Sequence, residues 1–175
     1  MATVLGQYAR GVALARTRQP ARAAEALAAL EPAAARLVGA HASNGDVDRM
    51  LRGLALVARE RLRAEVAFSE GRADAALAHQ TQALAVGKDI DAAEPPLLAA
   101  GTRLALGDMQ LQARRWAAAE QSFRVDLAAH PRSGWALRGL TKALRAQGRD
   151  AEACAVRARL RRDWSAADAG LMRLD

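Results

Sequence analysis

Four residues near the C-terminal end have types and spacing suited to recognition. Arg138, Lys142 and Arg145 follow one another at intervals of four and three, and Trp135 precedes them by three. On a helix turning about 100° per residue, the three cations fall within about 60° of each other, with the indole beside them. Leu137, Leu140 and Leu144 lie about 100° or more away, on a separate apolar edge. Guanidinium and ammonium groups pair well with carboxylates, so the basic edge suits an acidic peptide or protein segment. The same edge also reads as an ordinary solvated helix face. A second group, Arg157, Arg159, Arg161 and Arg162 in VRARLRRDW, has the chemistry to contact nucleic-acid phosphates without reading sequence. Aromatic residues that could stack on bases are few, which weakens that alternative.

Patterns for catalysis are missing. His41, His79 and His130 are scattered, and no H-E-x-x-H pair offers a zinc site. The sequence has no G-x-S-x-G nucleophile elbow and no glycine-rich phosphate loop. Its acidic residues sit on amphipathic stretches, where they read as solvated faces or partners for arginines. Cys154 is the only cysteine; it allows no intrachain disulfide, and its Ala-rich surroundings suggest a small buried hydrophobe. The expectation is a non-catalytic chain with no metal and no cofactor.

Composition points to helices as the elements that carry these residues. The 175-residue chain is 51% hydrophobic, 26% charged and only 3% aromatic, with much of the apolar content alanine. Alanine is the best helix former, and β-branched residues are sparse, so strands are not expected. The net charge of +7 is uneven: residues 132–175 hold ten basic and five acidic side chains, the remainder sixteen and fourteen. No run of about 18 apolar residues suggests a membrane span. The start MATVLGQYARG lacks a basic leader, so a cytoplasmic location is expected.

Breaks between the amphipathic stretches come in pairs. A first helix is expected over about 3–17, with a turn at Arg18–Pro20 and a second helix interrupted at Pro32. GAHASNGD is a loop whose Asp46 or Asp48 is expected to cap a long helix over 47–69. Gly71 closes that helix and a return helix follows. After a loop over 87–94, Pro95 and Pro96 restart the chain; Arg114–Arg115, Pro131 and Gly148 mark the later boundaries. Short turns make each pair an antiparallel hairpin, placed at about 3–38, 47–86, 95–130 and 134–163. Trp116, at a turn, is expected in the core. Leu160 and Trp164 are expected to seal the last hairpin, and residues 164–175 to form a capping helix or tail.

The hairpins repeat. Leu106 and Gly107 lie on one helix, Ala119 and Phe123 on the next, and Pro131 follows. Thirty-four residues on, the next unit opens at Gly134 with Leu137, Leu140 and Leu144, then Gly148 and Ala153. Gly71 and Ala76 fit the same places in an earlier unit; Gly11, Leu14, Ala23 and Leu27 fit more loosely in the first. This pattern resembles the tetratricopeptide (TPR) repeat, W-x2-L-G-x2-Y then A-x3-F then P, with Arg103 and Gln110 in place of its Trp and Tyr. The segment from EPP through AEQSFRVDLAAHPRSGWALRGLTKALRAQGRDAEA also resembles the C-terminal end of a broad group of mostly uncharacterised bacterial TPR proteins. Members of that group usually carry aromatic residues just after the paired prolines, where this chain reads LLAAGT.

The resemblance implies an all-α fold, a single TPR-like domain over 1–175 in which the hairpins stack as a short right-handed α-solenoid. It implies a scaffold for protein–protein interaction whose first helices line a concave groove. Trp135, Arg138, Lys142 and Arg145 then occupy the second, fifth, ninth and twelfth positions of their unit, which face that groove. Related TPR domains use basic fifth and ninth residues to clamp a terminal carboxylate. Here the preceding units offer Leu104 with Asp108, and Arg61 with Glu65, so the full clamp does not carry over. A groove for an acidic protein or peptide segment is the favoured expectation. Arginine-mediated nucleic-acid association and self-association through Leu171 and Leu174 are the alternatives.

Overall fold

The computed structural model describes residues 1–43, 45–88 and 101–165. Among them are eight helices and no strand: α1 (Ala2–Arg16), α2 (Pro20–Ala40), α3 (Asp46–Ser69), α4 (Ala73–Lys88), α5 (Thr102–Gln112), α6 (Trp116–Ala129), α7 (Gly134–Ala146) and α8 (Asp150–Asp163). The chain is all-α, as the alanine-rich composition requires. None of the described helices is long and apolar enough to cross a membrane.

One turn geometry recurs four times. Each of α1, α3, α5 and α7 ends on a residue with left-handed backbone: Arg18 (φ 59°), Gly71 (φ 79°), Arg114 (φ 58°) and Gly148 (φ 73°). The next residue donates its N–H five positions back, Gln19 to Leu14, Arg72 to Ala67, Arg115 to Gln110 and Arg149 to Leu144, at 2.8–3.0 Å. These bonds close the Schellman arrangement, which satisfies carbonyls left over at a helix end. The same residues then accept the first bonds of the following helix, from Ala23, Ala76, Ala119 and Ala153. All four alanines are completely buried. A methyl group at that place lets the new helix lie close to its predecessor, and a larger side chain would hold the pair apart.

The chain divides into two compact units, Met1–Thr102 and Arg103–Asp175. In the N-terminal unit α1 packs on α2 and α3, α2 on α3, and α3 on α4. Its core is built from small and branched side chains, with Leu30, Leu62, Val4 and Val57 fully buried. Gln80 of α4, 1% exposed, donates to the Thr102 carbonyl at 2.8 Å. In the C-terminal unit α7 packs on both α6 and α8. Its core centres on Phe123, with Leu140, Leu144 and the paired alanines around it.

Several local expectations are corrected. Helix α2 runs unbroken through Pro32. Pro32 and Ala28 both lie on the exposed side, so the carbonyl that loses its proline-blocked partner faces water. Neither Asp46 nor Asp48 caps α3; Gly45 holds the cap position without a side-chain bond. Cys154 is exposed, because Ala153 takes the buried position and the next residue turns about 100° outward. Trp116 is only partly buried at the start of α6. Leu160 is buried, and the Trp164 indole N–H donates to the Arg132 carbonyl at 2.7 Å, closing α8 onto the entry of α7. The tail 166–175, with Leu171 and Leu174, lies outside the described residues, as does the segment 89–100 with Pro95 and Pro96.

Candidate functional site

Helix α7 has the clearest two-sided character in the chain. Ser133 caps it, its Oγ accepting from the Ala136 N–H at 3.3 Å. Ala136, Leu137, Leu140, Ala143 and Leu144 turn inward and are buried. Thr141 is buried as well; its hydroxyl donates to the Leu137 carbonyl at 2.8 Å and so needs no outside partner. On the other side Trp135 stands 58% exposed, and Arg138 and Lys142 are partly exposed.

That side of α7 forms one wall of a cleft of about 140 Å³, lined by Leu104, Asp108, Phe123, Trp135, Arg138, Gly139 and Lys142. Leu104 and Asp108 come from α5, four residues apart and hence on one face. Phe123, from α6, is 1% exposed and seals the floor. Two glycines admit its ring. A Cβ at Gly107 would lie 2.6 Å from Phe123 Cε1, and one at Gly139 would lie 2.3 Å from Cζ. Gly139 therefore lets α7 approach the ring closely, and the cleft is shaped by an absent side chain.

Three of the four sequence-derived candidates, Trp135, Arg138 and Lys142, line this cleft together. The fourth, Arg145, is exposed outside the lining. It lies seven residues beyond Arg138, about 10 Å further along the helix axis. Two cations face one carboxylate, Asp108, so the cleft has a charge of +1 and both signs within it.

The arginines of α8 are not brought together. Arg157 and Arg161 lie about 40° apart around the helix, and Arg159 and Arg162 lie on another side. Arg159 donates to the Pro131 carbonyl and approaches Asp163 Oδ2 at 3.5 Å. Arg162 reaches Asp163 Oδ1 at 3.1 Å, and Arg157 Nε is buried without a hydrogen-bond partner. Arg161 is exposed.

Sequence reasoning missed two buried carboxylates. Glu60 on α3 is 4% exposed and accepts from Arg59 and Arg63, each at 3.0 Å, and pairs with His79 Nδ1 at 2.9 Å. Arg63 continues to Glu31 at 2.6–2.8 Å. Glu120 on α6 is 5% exposed and accepts from Gln147 and twice from Arg149, all at 2.7 Å, with Arg124 also against it. Burial pushes the Glu120 carboxyl up. The hydrogen bonds from Gln147 and Arg149 and the charges of Arg124 and Arg149 outweigh it and hold the group below its ordinary value. Such saturated carboxylates hold helices together and have no free lone pair turned to a reacting group.

A Ser–His–Asp cluster at the head of α3 has the wrong order for a nucleophile. Ser43 donates to Asp48 Oδ2, and His41 Nδ1 meets Asp48 Oδ1 at 2.6 Å. The hydroxyl is bonded to the carboxylate and not to the imidazole that would have to take its proton. Arg52 donates to the His41 and Ser43 carbonyls at 3.1 and 3.4 Å, which makes the group a latch for the α2–α3 loop. Among the described residues no group of three or more His, Cys, Asp or Glu side chains is placed to hold a metal ion. Comparison with family models, with curated proteins and with solved structures finds no match to this chain.

Proposed function

We propose that this protein is a TPR-like scaffold of antiparallel helix hairpins stacked as a short α-solenoid, and that it binds an acidic segment of a partner protein without catalysing a reaction. The fourfold recurrence of one turn with one buried alanine supports the repeat reading. The binding reading rests on one observation: a tryptophan 58% exposed beside Arg138 and Lys142 in a cleft with an aromatic floor. Exposed tryptophan next to arginine is the composition of a binding hot spot rather than of an average surface. The cations give the ligand its sign, and the indole gives it an apolar surface to cover.

Panning a random peptide-display library against the full chain tests the reading. Sequences rich in Asp and Glu are expected among those enriched, and they should be lost with the Arg138→Glu, Lys142→Glu double variant at unchanged helicity. Enrichment of sequences without acidic residues, or equal enrichment on the variant, overturns it. Nucleic acid is a separate arm: retention of DNA at low salt that is unaffected by the double variant would move the site to α8.

A further inference from the structure

We infer that the α5–α7 cleft selects a segment in which one bulky apolar side chain stands next to a single acidic residue. This deepens the acidic-segment reading above and rests on it. The cleft is not uniformly basic. Its α7 wall carries Arg138 and Lys142, but its α5 wall carries Leu104 and Asp108. A run of carboxylates would place one of them against Asp108, and like charges at that range repel. A single carboxylate on the α7 side meets only cations. The remaining lining is apolar: Trp135, Leu104 and the ring of Phe123 beneath Gly139. The volume of about 140 Å³ sets the size of the guest. A cavity of about 150 Å³ holds one benzene ring, so the cleft takes one aromatic or branched side chain and no more. Each group has a place: the apolar guest lies against Trp135 and Leu104, its neighbouring carboxylate reaches Arg138 and Lys142, and Asp108 rejects a second carboxylate.

The test uses the ¹⁵N-labelled full chain and four acetylated, amidated peptides that differ at two central positions within a Ser-Gly frame: Phe-Glu, Ala-Glu, Phe-Gln and Glu-Glu. The Phe-Glu peptide is expected to bind tightest and to shift the Trp135 indole and Gly139 amide signals. Losing the ring should weaken binding about tenfold, and losing the charge about fivefold. Glu-Glu should bind worse than Phe-Glu and recover on Asp108→Asn. If Ala-Glu binds as well as Phe-Glu, and both are lost in the Arg138→Glu, Lys142→Glu variant, the apolar selection fails while the acidic-segment reading stands. If Phe-Gln equals Phe-Glu, or none of the four binds, both readings fail together. If the same signals shift when the protein alone is concentrated, a second copy of this chain occupies the cleft and the inference is overturned. Trp135→Ala provides the control: its side chain is mostly exposed, so the fold should survive while Phe-Glu binding drops.

Discussion

Arg61 with Glu65 and Arg138 with Lys142 occupy the same places in their helices, and the two units use them in opposite ways. In the N-terminal unit Arg61 lies over the Tyr8 ring, 5.6 Å from its centroid. Glu65 accepts from Arg16 at 2.5–3.1 Å, so α3 is fastened to α1 by its polar face. In the C-terminal unit Arg138 and Lys142 line an open cleft beside an exposed indole. Tyr8 is partly buried under its cation, whereas Trp135 stands out between two. One helical position can thus fasten a neighbour or face a ligand, and the deciding factor is whether an adjacent helix supplies the aromatic ring and the counter-charge.

The cores differ in the same way, and this can be broken by mutation. The C-terminal unit gathers around one ring, whereas the N-terminal core is spread over many small side chains. Phe123→Ala should be the most damaging change, at about 3–5 kcal/mol, because it leaves a cavity between Gly107 and Gly139. Thermal unfolding measures it. A loss under about 1 kcal/mol would mean that the unit does not depend on that ring.

Next in size is Glu120→Gln, expected to cost about 2 kcal/mol by leaving Arg149 and Arg124 without their carboxylate. Those arginines are 36% and 46% exposed, so water recovers part of the loss. Because the folded-state value of Glu120 is depressed, its contribution is complete above the ordinary 4.5 and disappears as pH falls through the lower value. The deficit of the variant should therefore shrink in acid. A deficit that is equal at pH 7 and at strongly acid pH would remove the carboxylate from the explanation.

Two glycines give a smaller, paired contrast. Gly139→Ala drives a methyl into Phe123, whose ring is fixed between two helices, and should cost about 1–3 kcal/mol. Gly11→Ala in the N-terminal unit meets only the branched end of Leu62, at 2.5 Å. Leucine can change rotamer, and alanine is the better helix former, so the net change should stay within about 0.5 kcal/mol. Equal losses in urea unfolding would show that ring and leucine are equally immobile.

The helices and turns were legible because they depend on local signals. Gly71, Gly148 and the Arg-rich breaks at 18 and 114–115 sit where the chain turns, and Ala23, Ala76, Ala119 and Ala153 follow each turn at constant spacing. Trp135, Arg138 and Lys142 were legible for the same reason, since three- and four-residue spacing fixes a face. The second wall of the cleft was visible only as Leu104 and Asp108 at matching places of the preceding unit. Glu60 and Glu120 were invisible as junctions, since the partners of Glu120 on α7 and α8 lie 27 and 29 residues away and no local pattern marks them. Pro32 misled because a break depends on whether the orphaned carbonyl reaches water, which only burial reveals.

Tyr8 offers the finest test of the comparison. Burial raises its pKa above the ordinary 10.0, Glu65 adds to that, and the positive charges of Arg61 and Arg16 work against it. It is the only tyrosine in the chain, so ultraviolet titration of the phenolate reads it alone. The midpoint should lie above 10.0. The stabilisation from keeping the phenol neutral is complete below 10.0 and is lost as pH rises through the raised value. Arg61→Gln should move the midpoint further up, because a cation that favours the phenolate is gone. A midpoint unchanged or lowered by Arg61→Gln would mean that Arg61 does not sit on the ring in solution. The N-terminal unit would then leave its fifth-position cation turned outward, as the C-terminal unit does, and the contrast between fastening and exposure would lose its clearest residue.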